Sequence, residues 1–144
     1  MCCGLDLSNK NLFKAMLHLN KVHHIAIICS DYQRSLDFYT RVLGLKVLAE
    51  HYRAERQSYK TDLALGDDYV VELFSFVAPP PRVSRPEAAG LRHLAFEVDN
   101  IAEALLDLDA MGIEHEEVRI DEFTGKHFVF FQDPDGLPIE MYEK

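Results

Sequence analysis

Four residues of this chain have the types and the spacing to do chemistry together. His24 and His93 are offset by 69 positions, and Glu72 and Glu140 by 68. Each has a counterpart in similar company. His24-Ile25-Ala26-Ile27 aligns with His93-Leu94-Ala95-Phe96, and Val71-Glu72-Leu73-Phe74 aligns with Ile139-Glu140-Met141-Tyr142. Two carboxylates among apolar neighbours such as Phe74 and Phe76 are costly to ionise unless something cationic joins them. A divalent metal ion does so, because two Glu cancel its charge while two neutral imidazoles complete a mixed nitrogen and oxygen set. Four protein ligands on an octahedral ion leave two adjacent positions for water or substrate oxygens. Taken singly, a His or Glu in a strand is an ordinary solvated or hydrogen-bonded side chain; the set of four carries the metal assignment.

The repeat that generates this set predicts the elements that hold it. The expected organisation is an N-terminal extension over 1–18, a first module over 19–77, a Pro-rich linker over 78–90 and a second module over 91–144. Each module reads strand, helix, then three strands. In the first, Val22 to Cys29 alternates as a strand does, and Ser30 with Gln33 forms a capping box for the next helix. Tyr32, Leu36, Tyr39 and Leu43 fall on one helical stripe that ends at Gly44. Strands are expected at Leu45 to Tyr52, Tyr59 to Leu65 and Tyr69 to Val77, with Gly66-Asp67-Asp68 turning the hairpin. In the second, Asp99 is the expected cap of a helix carrying Ile101, Leu105, Leu108 and Met111 and closed by Gly112. Strands follow at Ile113 to Ile120, Lys126 to Gln132 and Pro138 to Tyr142, with Asp133-Pro134-Asp135-Gly136 as the last turn. The segment 1–15, with Cys2-Cys3, reads as a disordered tail, and Met16 is either a second possible start or a core residue.

Strand alternation then sorts the side chains. Ile25, Ile27 and Cys29 share the face that a helix should cover; His24, Ala26 and Ile28 share the other. The same parity puts Glu72, His93 and Glu140 on the uncovered faces, and two-fold pseudosymmetry brings all four toward a common axis. His23 is expected to point away from His24. His18, His51 and His115 have no symmetric acidic partner, and neither has His127, although its strand leads toward the proposed pocket.

Composition removes other functions. Among 144 residues, 15 Lys and Arg against 24 Asp and Glu give a net charge of −9, which repels a phosphate backbone and argues against nucleic acid. Three Cys make no disulfide framework, and no run approaches a membrane span or a secretory leader. A soluble cytoplasmic protein is expected. Two basic clusters stand out against the acidic total: Arg53, Arg56 and Lys60 around the second hairpin, and Arg82, Arg85 and Arg92 around the linker. Either suits an anionic substrate or a solvated edge.

On these residues the chain resembles the vicinal oxygen chelate (VOC) superfamily. The resemblance covers about Leu19 to Lys144. It rests on His23-His24-Ile25-Ala26, on Ser35-Leu36-Asp37-Phe38-Tyr39 before Leu43-Gly44, on Val71-Glu72-Leu73, on Arg92-His93-Leu94-Ala95-Phe96, and on Asp133-Pro134-Asp135-Gly136 before Ile139-Glu140. It leans to the glyoxalase I branch and is similar to YaeR-type glyoxalase-like proteins. The resemblance implies an α+β fold of two tandem βαβββ modules forming a curved mixed sheet around a metal cavity. It further implies nickel, cobalt or zinc, with iron or manganese also compatible, on His24, Glu72, His93 and Glu140, and a homodimer. Bacterial glyoxalase I enzymes usually carry Arg four residues after the first His and Asn four after the first Glu, both holding glutathione. Here those positions are Ile28 and Phe76. An apolar wall there leaves a charged glutathione terminus unpartnered, at about 1–3 kcal/mol or more.

The expected activity is a lactoylglutathione lyase-like proton transfer on a small substrate with vicinal oxygens, through a metal-stabilised enediolate. Glu140 is the first choice of base and Glu72 the second. Ile28, Phe74, Phe76, Arg53, Lys60 and Tyr142 are the expected substrate contacts. Two alternatives belong to other classes: a non-heme iron ring-cleaving dioxygenase, against which a fourth protein ligand argues, and a non-catalytic VOC drug- or metabolite-binding protein. A fosfomycin-type thiol transferase is disfavoured like the dioxygenase.

Overall fold

A computed structural model describes residues 17–144; the expected tail with Cys2-Cys3, and Met16, lie outside the described residues. The first module runs β1 (Ile25–Cys29), α1 (Tyr32–Asp37) continued by a π-turn (Phe38–Val42), β2 (Lys46–Arg53), β3 (Ser58–Leu65) and β4 (Asp68–Ser75). The second runs β5 (Leu94–Val98), α2 (Ile101–Ala110), β6 (Arg119–Ile120), β7 (His127–Gln132) and β8 (Pro138–Glu143). The expected curved sheet is divided between the modules. Their strand orders are β1-β4-β3-β2 and β5-β8-β7-β6, with one parallel pair in each.

The alternation expected of the first strand is visible in its burial. Ile27, Cys29, Val71 and Leu73 are buried, whereas Ala26 and Ile28 on the opposite face are exposed. The second module repeats this with Val129, Phe131, Ile139 and Met141 buried. All of these belong to one continuous apolar core shared by both modules. Phe38 of the π-turn reaches Phe131 of β7, ring centre to ring centre at 6.2 Å. Gly44 and Gly112 close the two helical segments at φ +69 and +68, a conformation that costs glycine little.

Several local expectations need correction. The first helix is capped by Asp31, whose Oδ1 accepts from Arg34 N at 3.0 Å; Ser30 is not the cap. Ser30 is taken instead by Asp135, to which it gives both its backbone N–H and its hydroxyl. The second helix is capped by Asn100, which accepts from Glu103 N at 3.1 Å, while Asp99 extends into solvent toward Lys144. Of the strand expected at Ile113 to Ile120, only Arg119–Ile120 forms, with His115 making a lone bridge to Phe131. The first strand begins at Ile25, and the fourth ends at Ser75.

The turn before β8 also joins the modules. Asp133 is buried, and its Oδ1 accepts from Asp135 N at 2.9 Å and Leu137 N at 2.8 Å. Its Oδ2 accepts from the Tyr39 hydroxyl at 2.8 Å. Burial pushes the Asp133 carboxyl above its ordinary value, against these donors.

Candidate metal and substrate site

The two modules build the same local arrangement. In the first, the parallel register sets Ala26 beside Glu72, so His24, two residues upstream, lies on the face of Glu72. In the second, Ala95 is set beside Glu140, and His93 stands in the equivalent place. His24 Nε2 is 3.1 Å from Glu72 Oε2, and His93 Nε2 is 3.0 Å from Glu140 Oε2. The glutamates are mostly covered, with side chains 13% and 12% exposed.

These separations are direct hydrogen bonds; what suits a divalent ion is the donor chemistry, an imidazole nitrogen and a carboxylate oxygen in each module. His93 Nδ1 is buried with no hydrogen-bond partner, so no second acceptor fixes that imidazole away from its carboxylate. The four residues do not form one cluster within the chain, however. Among the described residues, no group of three or more His, Cys, Asp or Glu side chains is gathered to hold an ion. The described residues thus hold two separate His–Glu pairs, one in each module. The reason lies in the packing: the helix-covered faces of both sheets are joined in one core, which leaves the half-site faces open.

The surroundings of the two glutamates differ. Lys60 of β3 donates to Glu72 Oε1 at 2.7 Å and also to Asp62, and the Tyr69 hydroxyl donates to Asp62 at 2.9 Å. His24 stacks on Tyr69 with ring centres 5.0 Å apart. Hydrogen bonds to Asp62 and Glu72 raise the Lys60 ammonium above its usual value. Burial alone would raise Asp62, but Lys60 and Tyr69 outweigh it and hold that carboxyl low. At the matching positions of β7 stand Phe128 and Phe130, cross-strand from Tyr142 and Glu140. Phe130 meets His93 edge-on at 5.2 Å.

Five of the expected substrate contacts lie together in the first module, and Tyr142 lies in the second. Ile28 is exposed on the His24 face. Phe74 and Phe76 lie beneath the Arg53 guanidinium, at 4.7 and 5.6 Å from its carbon, and Arg53 also donates to Ser58. Lys60 is engaged by its two carboxylates. Tyr142 packs its ring along Phe128, 6.4 Å between centres, while its hydroxyl donates to Asp121 at 2.9 Å.

His23 does not turn away from His24 as expected. The two Nδ1 atoms are 2.8 Å apart, and both rings contact Tyr69. Both residues precede the strand; His24 nonetheless keeps the Glu72 side that parity gives it, whereas His23 does not follow parity. His127 pairs with Glu143 at 2.7 Å on β7, away from Phe128 and Phe130. Asp62, Tyr69, Phe128, Phe130 and Arg119 were not singled out from the sequence. Parity with Lys60 in β3 could have flagged Asp62, and parity with Gln132 in β7 could have flagged Phe128 and Phe130.

Residues 21–141 match the Glyoxalase/Bleomycin resistance protein/Dioxygenase superfamily, and the chain belongs to it. It is similar to the uncharacterized protein YwkD of Bacillus subtilis (strain 168), 58% identical over 88% of this chain and 98% of that protein. Similarity to the uncharacterized protein YaeR of Escherichia coli (strain K12) is 55% over 90% and 100%. A lactoylglutathione lyase of Escherichia coli O157:H7 is 33% identical over 84% and 90%. Among solved structures, a glyoxalase family protein from Enterococcus faecalis matches with TM-score 0.76 and 49% identity, over 85% of this chain and 97% of that one. No helix among the described residues is long and apolar enough to cross a membrane.

Proposed function

We propose that the chain is a metal-dependent lyase or isomerase of the glyoxalase I type, acting in the cytoplasm on a small substrate with neighbouring oxygens. The observation that carries this is the pair of His–Glu contacts, at 3.1 and 3.0 Å, set by equivalent parallel registers in the two modules. Likeness to a lactoylglutathione lyase supports the reaction class. The open half-site faces support a two-fold homodimer in which His24 and Glu72 of one chain meet His93 and Glu140 of the other.

His24, Glu72, His93 and Glu140 would hold nickel, cobalt, zinc or a similar divalent ion. When bound, such an ion would supply positive charge to oxygens that become anionic during the reaction. The rest of the chemistry falls to the chain itself. Glu140 is the base: its only ion-pairing partner among the described residues is His93, so it is free to swing, take a proton from carbon and return it to the neighbouring carbon. Glu72 is tethered at Oε1 by Lys60 and keeps a positional role. Phe128 and Phe130 keep water from the Glu140 side. Ile28, Phe74 and Phe76 offer an apolar wall, which favours a substrate other than the glutathione hemithioacetal.

Elemental analysis joined to activity screening tests this. Wild type is expected to carry one divalent ion per half-site pair and to turn over a hemithioacetal or a 2-oxo compound. Glu140→Gln should lower kcat at least a hundredfold with metal retained, whereas His24→Ala and His93→Ala should lose metal. Full turnover by Glu140→Gln would refute the base.

Lys60 favours one alternative. With Glu72 held by a cation, the unencumbered donors are His24, His93 and Glu140, the two-His-one-carboxylate set of non-heme iron oxygenases. Iron-dependent oxygen uptake with a catechol would establish that function instead.

A further inference from the structure

We infer that a cavity beside His93 binds the oxyanion end of the substrate, so that the substrate is a small carboxylate or phosphate ester. This deepens the function proposed above and rests on it for the reacting end alone.

The cavity, about 490 Å³, lies between the linker and β6–β7, and His93 is part of its wall. That size suits a small ligand. Four arginines line it: Arg82, Arg85, Arg92 and Arg119. Two carboxylates, Glu87 and Glu116, oppose them, in a chain whose net charge is −9.

The four arginines are not equally available. Arg82 is committed to the backbone: it donates to the carbonyls of Leu91 and Arg92 and to Ser84 Oγ, which fixes the linker against the start of β5. Arg119 donates to Glu116 at 2.8 Å and lies over Phe128 and Phe130. Arg92 reaches Glu87 only at 3.5 Å, with both side chains exposed, an ion pair of little worth. Arg85 has no ion-pair or hydrogen-bond partner among the described residues. Two guanidiniums therefore remain to grip an oxyanion in the planar, two-pronged manner that arginine favours. His93 shares the wall, which puts the cavity next to the His93–Glu140 pair. In the first module the basic residues have other roles, since Lys60 is shared between two carboxylates and Arg53 lies on phenylalanine rings.

The test uses the full-length chain, as purified and after chelation, titrated with inorganic phosphate and, separately, acetate at constant ionic strength. Saturable binding is expected in both forms, with backbone amide shifts at Ser84, Arg85, Glu87 and His93. Arg85→Gln combined with Arg92→Gln should weaken it about tenfold or more, while Lys46→Gln on β2, which does not line the cavity, should not. Tighter phosphate binding assigns a phosphate ester, and tighter acetate binding a carboxylate. Binding that survives the double substitution, or that vanishes on chelation, overturns the subsite. Loss of metal binding with phosphate binding intact would overturn the metal function and leave the subsite standing.

Discussion

The two modules present the same backbone register around different side chains. In each, an alanine of the first strand lies beside the glutamate of the last, and a histidine two residues upstream comes within about 3 Å of it. In the first module the neighbouring strand supplies Lys60 and Asp62; in the second it supplies Phe128 and Phe130. A duplicated scaffold has thus preserved geometry and let polarity diverge. One carboxylate is tethered within a charged network, and the other is left with an imidazole and aromatic rings. Their turns diverge as well, because among the described residues only that of the second module is hydrogen-bonded to the other module.

Substitutions that break this comparison should differ in size. The largest effect is expected from Asp133→Ala, which leaves the Tyr39 hydroxyl and two backbone N–H groups without their acceptor. Urea unfolding should show a loss of about 3 kcal/mol or more, against about 0.5 kcal/mol or less for Asp67→Ala in the corresponding turn. Next come the strand neighbours of the glutamates. Phe128→Ala should cost about 2–3 kcal/mol through lost packing, and Lys60→Met at the matching position about 1 kcal/mol, because it leaves Asp62 and Glu72 without their shared cation. Equal costs would mean that the modules use the two positions alike.

Smaller changes sharpen the same contrast. Asp31→Ala and Asn100→Ala should each lower stability by about 1 kcal/mol as caps are lost, while Asp99→Ala should stay within about 0.5 kcal/mol. The smallest effects are opposed in acid. Burial raises Asp133 from its ordinary 3.8, so the folded chain binds the proton more readily than the unfolded one; its contribution is full below 3.8 and is lost as pH rises above it. Asp62, held low by Lys60 and Tyr69 despite its burial, contributes above 3.8 and loses that contribution as pH falls below. Stability followed against pH should therefore lose its decline above 3.8 in Asp133→Asn and its decline below 3.8 in Asp62→Asn.

Periodicity made the scaffold legible. The period of two in Ile25 to Cys29 and in Val71 to Ser75 told which side chains a helix covers, and it set His24 with Glu72 and His93 with Glu140. The repeat spacing gave two modules of one design. Long-range partners were not legible. Ser30 has the chemistry of a helix cap, yet a carboxylate from the other module, Asp135, takes it, and no local pattern announces that competitor. His23 escaped parity because it lies ahead of the strand. The separation of the two His–Glu pairs was hidden for a similar reason: pseudosymmetry indicates that four groups are related, but not how far apart the packing of the sheets holds them.

The docked turn has one more consequence. The chain passes from Asp133 directly into β8, and β8 carries Glu140. A hinge opening between Tyr39 and Asp133 would tug on the strand that aims this carboxylate. Loosening the seam between the halves and shifting Glu140 relative to His93 are then a single mechanical event.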